Sequence, residues 1–365
     1  MFQKKLLRTM VLVVGIMVAF SIMGCKHDNY SDSSNNQPQQ PSYQLDFTPI
    51  GNGYRVSCHY LNADVAIVIP AEYNGKPVTH IGSFPGNYDY SYNSFRLTGI
   101  TIPNSITTIE GYAFSNCRSL TSITIPNSVT SIEYSAFNNC ASLTSITIPN
   151  GVSIIGTNPF QGCANLASIN VENGNIIYRS EGNCIIRRHD NALISGCKNS
   201  VIPASVTSID NYAFCGIGLT SITIPVSVAS IDRNAFYNCA SLVSITVQSG
   251  NTAYRSEGNC LINIYNTLIL GCKNSIISAS VTHIGDSAFS YCTGLINITV
   301  PSSVTSIGSS AFYDCTGLIN VTFNGSISSG SFSNGSFPGD LRDKYLTGGI
   351  GTYTRASGSD AWTKQ

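Results

Sequence analysis

Isoleucine, valine, leucine and phenylalanine return at fixed offsets through most of the chain. One unit reads Leu120-x-x-Ile123-x-Ile125-Pro126-x-x-Val129-x-x-Ile132-x-x-x-Ala136-Phe137-x-x-Cys140. Phe114, Phe137 and Phe160 lie 23 residues apart, Phe289 and Phe312 repeat that interval, and Phe214 to Phe236 is 22. The same frame recurs from Ile102, Ile148, Ile202, Ile224, Ile277 and Val300, which makes seven copies. A divergent unit precedes them, with Ile69-Pro70, Val78 and Ile81 in register and an extra loop from Glu72 to Lys76. Self-similarity at this period predicts a solenoid, in which a unit too small for its own core buries its apolar face against its neighbours.

Within a unit, Leu120, Ile123 and Ile125 end in the alternation of a short strand with one buried face. Pro126 stops that strand because it lacks the ladder N–H. Val129 and Ile132 turn the chain back, and Ala136, Phe137 and Cys140 fill the interior from a turn or a short helical segment. The predicted fold is a repeat solenoid: an arc of about ten short parallel-strand coils, mostly β with turns and short helical segments. Two intervals are longer, Phe160 to Phe214 at 54 and Phe236 to Phe289 at 53, and both carry one insert, Tyr178 to Asn199 and Tyr254 to Asn274. Each insert reads as two β-prone runs around a turn, a hairpin-like widened coil. Residues 171–236 and 247–312 therefore form a larger duplication.

The L-x-x-I-x-I-P-x-x-V-x-x-I-x-x-x-A-F-x-x-C frame, the Y-x-S-x-x-G-N-C inserts and the closing Gly351-Thr-Tyr-Thr-Arg with Trp362 resemble the BspA-like, or treponemal-type, leucine-rich repeat over roughly residues 66–325. The resemblance implies a curved solenoid carried by bacterial surface lipoproteins that act in adhesion and host-matrix binding. It carries over no catalytic centre.

The first 24 residues read as an export signal, with Lys4, Lys5 and Arg8 before the uncharged run Thr9 to Gly24. Ile22-Met23-Gly24-Cys25 resembles a lipobox, although Met23 is larger than the usual residue. Cys25 is thus the expected lipidation site, with ordinary secretion as the alternative, and a lipid anchor is the expected link to the membrane of the cell envelope, at the outer membrane or cell surface. Residues 25–44 read as a flexible tether, 45–99 as an N-terminal cap with the divergent first repeat, 100–323 as the solenoid, and 324–365 as a Gly/Ser-rich segment and C-terminal cap.

Charge narrows the choice of partner. Charged residues make up 10% of the chain and balance to zero, against about 25% in an ordinary domain. Nucleic acid needs clustered Lys and Arg, so it is not an expected partner. Cys117, Cys140, Cys163, Cys239, Cys292 and Cys315 each follow a repeat Phe by three residues, which predicts buried thiols in one interior slot. For Cys184/Cys197 and Cys260/Cys272 the spacing admits either a disulfide across the hairpin or two thiols.

No catalytic pattern emerges. The five histidines are scattered, and C-x-x-C, H-E-x-x-H and G-x-S-x-G are absent, so neither an enzyme, a metal nor a cofactor is expected. Glu110, Glu133, Asp210, Asp232 and Asp286 fall near the position after the repeat Ile and read as turn residues, with a glycosidase-type pair as the alternative.

A binding surface is better supported. The residue between the two strand isoleucines must point outward, and it is Thr101, Thr124, Thr147, Asn170, Thr223, Thr246, Thr299 and Thr322, a hydroxyl-rich row on one face. Tyr112, Tyr134, Tyr212, Tyr237, Tyr291 and Tyr313 occupy turn positions that vary between units, and tyrosine is enriched at interfaces. Arg187, Arg188 and His189 are the one basic cluster, either neutral variation or a specific contact. The expected function is a monomeric, non-enzymatic surface binder of host matrix or cell-surface proteins, or of glycans. The alternative is an envelope scaffold with bacterial partners only.

Overall fold

The computed structural model describes residues 43–61, 64–84 and 96–365. The export signal, Cys25 and all but the end of the expected tether lie outside the described residues. A strand, Tyr43–Ile50, begins two residues inside that tether and pairs antiparallel with Gly53–Leu61. Tyr43, Leu45 and Phe47 alternate along it and pack against the core, so this end of the polar stretch has an apolar face to bury. Gly53–Leu61 then runs parallel to Lys76–Ile81 and leads into the repeats.

Most regular coils have two strands, where the spacing predicts one; the coil from Leu120 to Cys140 keeps only the second. The first is the I-x-I segment, as in Ser145–Ile148 paired with Ser168–Val171. The second is a dipeptide that ends in Ile, most often Ser-Ile, and Thr108–Ile109, Ser131–Ile132 and Ile154–Ile155 stack in register behind Lys76–Ile81. Two residues cannot show an alternation, so Val129 and Ile132 looked like a bare turn. The backbone nevertheless pairs coil to coil there: Thr130 N–H donates to Thr107 O at 2.8 Å and Glu133 N–H to Ile109 O at 2.9 Å.

The Phe segment is a turn. Ser135 and Asn139 take left-handed φ of 52° and 57° on either side of Phe137, and the same two positions are left-handed in most coils. This reverses the chain while leaving N–H groups aimed along the stack, so Phe114 donates to Ala136 O at 2.8 Å and Phe289 to Ala311 O at 2.7 Å. The rings form a spine: Phe114 to Phe137 is 5.3 Å, Phe137 to Phe160 5.6 Å, and Phe214 to Phe236 5.2 Å. Burying each ring contributes about 1.5–3 kcal/mol. Three residues on, Cys140 Sγ donates to Phe114 O and Cys163 Sγ to Phe137 O, both at 3.1 Å. The repeat cysteine therefore fills the slot and adds a second bond to a carbonyl that already accepts a backbone N–H within its own turn, as Phe114 O does from Cys117 at 3.2 Å.

The inserts interrupt this order. Tyr178–Glu181, Cys184–Arg187 and Ala192–Ser195 form an antiparallel run, and Ala192–Ser195 rejoins the second-strand ladder at Ser208–Ile209. Ile154–Ile155 is left with no strand on its far side, and Tyr178 Oη caps it by accepting the Ile155 N–H at 3.1 Å. The second copy does the same, with Tyr254 Oη accepting the Ile231 N–H at 2.9 Å. In place of a Phe turn each insert has a glycine, Gly196 or Gly271, whose N–H donates at 2.8 Å to Ala213 O or Ala288 O. A Cβ on either would run into the ring of Phe214 or Phe289. Both insert cysteine pairs are buried thiols, and a serine, Ser200 or Ser275, donates both to Cys197 or Cys272 Sγ and to the carbonyl of Asn183 or Asn259, the residue before the other cysteine.

At the far end, Gly351–Thr354 pairs antiparallel with the last first-strand, Asn320–Phe323, and the helix Leu341–Gly348 packs beside it. The final coil has only a partial successor: Ser333 N–H takes Ile307 O at 3.0 Å and Phe337 stacks on Phe312 at 4.2 Å, but no further repeat covers the carbonyls from Cys315 to Leu318. Arg355 does so instead, donating from Nε to Leu318 O at 2.6 Å and from Nη2 to Cys315 O at 3.0 Å, with its guanidinium 5.0 Å from the ring of the buried Trp362.

Candidate binding surfaces

The first strands hold the outward row where their alternation demands. Thr101, Thr124, Thr147, Asn170, Thr223, Thr246 and Thr299 are exposed. They do not form one continuous ladder. The first strands fall into separate sheets, because residues 121–126 form no strand and the inserts break the row. A gap of about 680 Å³, lined by Asn104, Asn127 and Glu172, opens between Thr101 and Thr124. Asn170 Oδ1 accepts from Ser180 Oγ of the first insert at 3.4 Å. Thr322 is half-buried, since Gly351–Thr354 lies beside it and Thr352 Oγ1 meets its hydroxyl at 3.0 Å. Three apolar members belong to the same row: Val68, Val201 and Ile276 are 61%, 69% and 74% exposed. Val201 could have been read from the frame, because it precedes Ile202-Pro203 as Thr101 precedes Ile102-Pro103.

The tyrosines come together more closely than their spacing suggests. Tyr212 to Tyr237 is 6.3 Å, Tyr237 to Tyr291 5.2 Å and Tyr291 to Tyr313 5.5 Å, all edge to face. Tyr112 and Tyr134 form a second pair at 5.0 Å. Tyr237 and Tyr291 are far apart in sequence but adjacent in space, because the second insert carries Gly271 where a Phe turn would stand between them. The four rings of the run arise from three different places in the repeat: Tyr212 precedes its Phe by two, Tyr237 and Tyr313 follow theirs by one, and Tyr291 follows by two. Tyr112, Tyr212 and Tyr291 also hold left-handed φ of 58°, 62° and 60°, where other coils place Ser, Asn, Gly or Asp. Burial raises the Tyr237 hydroxyl pKa, and the contact with Tyr291 adds to it.

The polar groups that sequence reading singled out are structural. Arg187 pairs with Asp190 at 2.7 Å and with Asp210 at 3.2 Å, and Arg188 Nε donates to Asn175 O and Tyr178 O, both at 3.0 Å. The basic tip is thereby largely neutralised. Burial pushes the Asp210 carboxyl up, and Arg187 offsets this only in part. The repeat carboxylates serve the neighbouring coil: Glu133 accepts the Gly111 N–H at 3.0 Å, and Asp232 the Asn211 N–H at 3.1 Å. Each insert adds a clasp that the sequence did not reveal. Ser205 Oγ donates to Glu181 at 3.0 Å with Arg179 beside it, and Ser280 Oγ donates to Glu257 at 2.6 Å with Arg255 Nη2 at 3.0 Å. The bonds from Ser280, Arg255 and Ser278 hold the Glu257 carboxyl down to about 2, which makes it a poor base for activating that serine. Among the described residues no group of three or more His, Cys, Asp or Glu side chains is placed to hold a metal, and no helix is long and apolar enough to cross a membrane.

The sequence signature of the BspA type leucine rich repeat region matches six copies, over residues 87–184, 193–267 and 263–339. A leucine rich cell surface protein from Faecalibacterium prausnitzii is similar in structure, at 26% identity, 82% of this chain, 97% of that one and a TM-score of 0.44. The pneumococcal vaccine antigen PcpA is 20% identical over 78% of this chain and 69% of its own, with a TM-score of 0.43. A leucine-rich repeat protein from Bacteroides ovatus is 22% identical over 79% and 88%, with a TM-score of 0.33. No curated protein matches the chain.

Proposed function

The chain belongs to the BspA type leucine-rich-repeat family, and we propose on that premise that it is a non-catalytic binding protein of the bacterial surface, exported, lipid-anchored through Cys25, and engaging a host matrix or cell-surface protein. One observation carries the binding role: the tyrosine run Tyr212, Tyr237, Tyr291, Tyr313 is assembled from non-equivalent repeat positions. Duplication of a unit copies a residue to equivalent positions. It does not converge different positions on one stripe, nor does it favour tyrosine in a left-handed turn that costs about 1 kcal/mol more than glycine would. Such a stripe supplies rigid contact area with hydroxyl tips. The few surrounding charges make salt a minor influence.

The test is surface plasmon resonance of the mature chain over immobilised matrix proteins. At least one should bind saturably, with affinity reduced at least tenfold by Tyr237→Ser/Tyr291→Ser and changed little between 50 and 500 mM salt. A full panel without a saturable partner, or binding indifferent to the double variant, would remove this reading. Protection of the chain from protease added to intact cells would instead favour an internal scaffold.

A further inference from the structure

The duplicated halves differ at one place that the fold does not dictate. In the first copy, Arg187 of the insert crosses to Asp210, just after the second strand Ser208–Ile209, and so covers the outer face of that ladder. In the second copy the counterpart of Arg187 is Asn263, which folds back on its own hairpin by accepting the Tyr265 and Thr267 N–H groups. The counterpart of Asp210 is Gly285. With both covering residues gone, the ladder face lies open as a groove of about 700 Å³, with Gly285 and Gly308 in its lining and the Gly330 to Ser333 segment along one side. Ligand pockets commonly span roughly 300–1,000 Å³.

New polar groups have appeared around the opening. Arg233, exposed, reaches from the coil before the insert to Asp286 in the coil after it, at 3.1 Å. Asp286 is fixed in turn, since its Oδ1 accepts the Ser309 N–H at 2.7 Å. His283, exposed where the first copy has Ser208, has its Nδ1 2.8 Å from Thr282 Oγ1. The half-buried Ile231 and Ile269 give the lining apolar faces, and Ser306 and Ser331 add hydroxyls.

We propose that this groove binds a neutral oligosaccharide. A pyranose ring offers an apolar C–H face and a rim of hydroxyls. The lining offers isoleucine faces and a rim of hydroxyl, imidazole, carboxylate and guanidinium groups. Arg233 and Asp286 cancel each other's charge, so the groove lacks the surplus cation that a phosphate or carboxylate ligand would require. Planar guanidinium and carboxylate groups can each address two adjacent hydroxyls at once, and Asp286 is held in place by Ser309 N–H and Arg233 before the ligand arrives.

Isothermal titration calorimetry of the mature chain against neutral gluco-, manno- and galacto-configured hexasaccharides, with an oligogalacturonate as the charged comparison, tests the proposal. At least one neutral hexasaccharide should saturate. Arg233→Ala and Asp286→Ala should each weaken it at least tenfold, and Ser306→Trp, which enlarges a half-buried residue of the lining and occludes the groove, should abolish it. Thermal midpoints identify any variant that fails to fold, and Ser306→Trp and Arg233→Ala are independent of each other in that respect. Absence of saturation by all neutral hexasaccharides, preference for the oligogalacturonate, or binding unaffected by folded Arg233→Ala and Ser306→Trp would each overturn the assignment.

Discussion

Tyr112, Tyr212 and Tyr291 sit in a backbone region that bulky side chains seldom adopt. Replacing Tyr291 by Asn relieves about 1 kcal/mol of backbone strain and forfeits ring contacts worth about as much. The two nearly cancel. The expected outcome is a denaturant midpoint within about 1 kcal/mol of wild type together with loss of partner binding, a separation that a purely structural tyrosine would not give. Gly271 behaves oppositely. Its missing Cβ is what lets Phe289 occupy its place, so Gly271→Ala should cost about 1–3 kcal/mol by forcing that ring aside, read as a lower urea midpoint. The thiols are equally local in their chemistry. Burial pushes Cys215 and Cys292 up to about 12, so a thiol reagent at pH 8 should leave them unmodified until the chain unfolds. The identities of the tyrosines were legible in the sequence. Their stacking was not, because the contact between Tyr237 and Tyr291 depends on an insert that places its glycine, and no aromatic turn, between them.

At the scale of elements, the first strands and Phe turns follow from spacing, since their side chains must all reach one interior. The second strand is invisible in the sequence because two residues define no period, and its stability comes from neighbours on either side. The insert clasps were hidden for a related reason: Arg255, Glu257 and Ser280 are brought together by a hairpin and a following corner. Ser280 Oγ, Arg255 and Ser278 hold the Glu257 carboxyl near 2, below its unfolded value of about 4.3. A depressed folded value means the clasp contributes fully above pH about 4.3 and is lost as pH falls toward 2. Thermal midpoints measured from pH 6 to 2 should therefore drop in wild type, and Glu257→Gln should flatten that part of the curve while lowering the plateau at pH 6.

For the molecule as a whole, the buried side chains divide into three clusters: one from Val56 to Cys197, one from Cys184 to Cys272, and one from Cys260 to Trp362. The divisions coincide with the inserts, where the second-strand ladder is interrupted and a tyrosine hydroxyl does the joining. Stability in such an array is close to a sum of units and interfaces, so the weakest interfaces set where it separates. Trp362, the only tryptophan, lies in the last cluster. Its fluorescence should report the C-terminal segment alone. Urea unfolding followed by Trp emission and by far-UV circular dichroism should give transitions that do not coincide. A single shared midpoint would mean that the joins are as strong as the coils.

Those joins also make the chain divisible. Val171 and Val247 end first strands that pair alike, with Ile148 and with Ile224, and each is followed by the same insert. Excising residues 171–246 would fuse Asn170 to Val247 and present the second insert to the coil that now receives the first. The shortened chain should fold with its remaining joins unchanged, giving a strand signal in circular dichroism and a cooperative melt. Length would then be an adjustable property of this architecture: gaining or losing a whole cassette changes the distance between the two ends while keeping both caps, at the expense of the contacts that cassette makes, here Tyr237 against Tyr291.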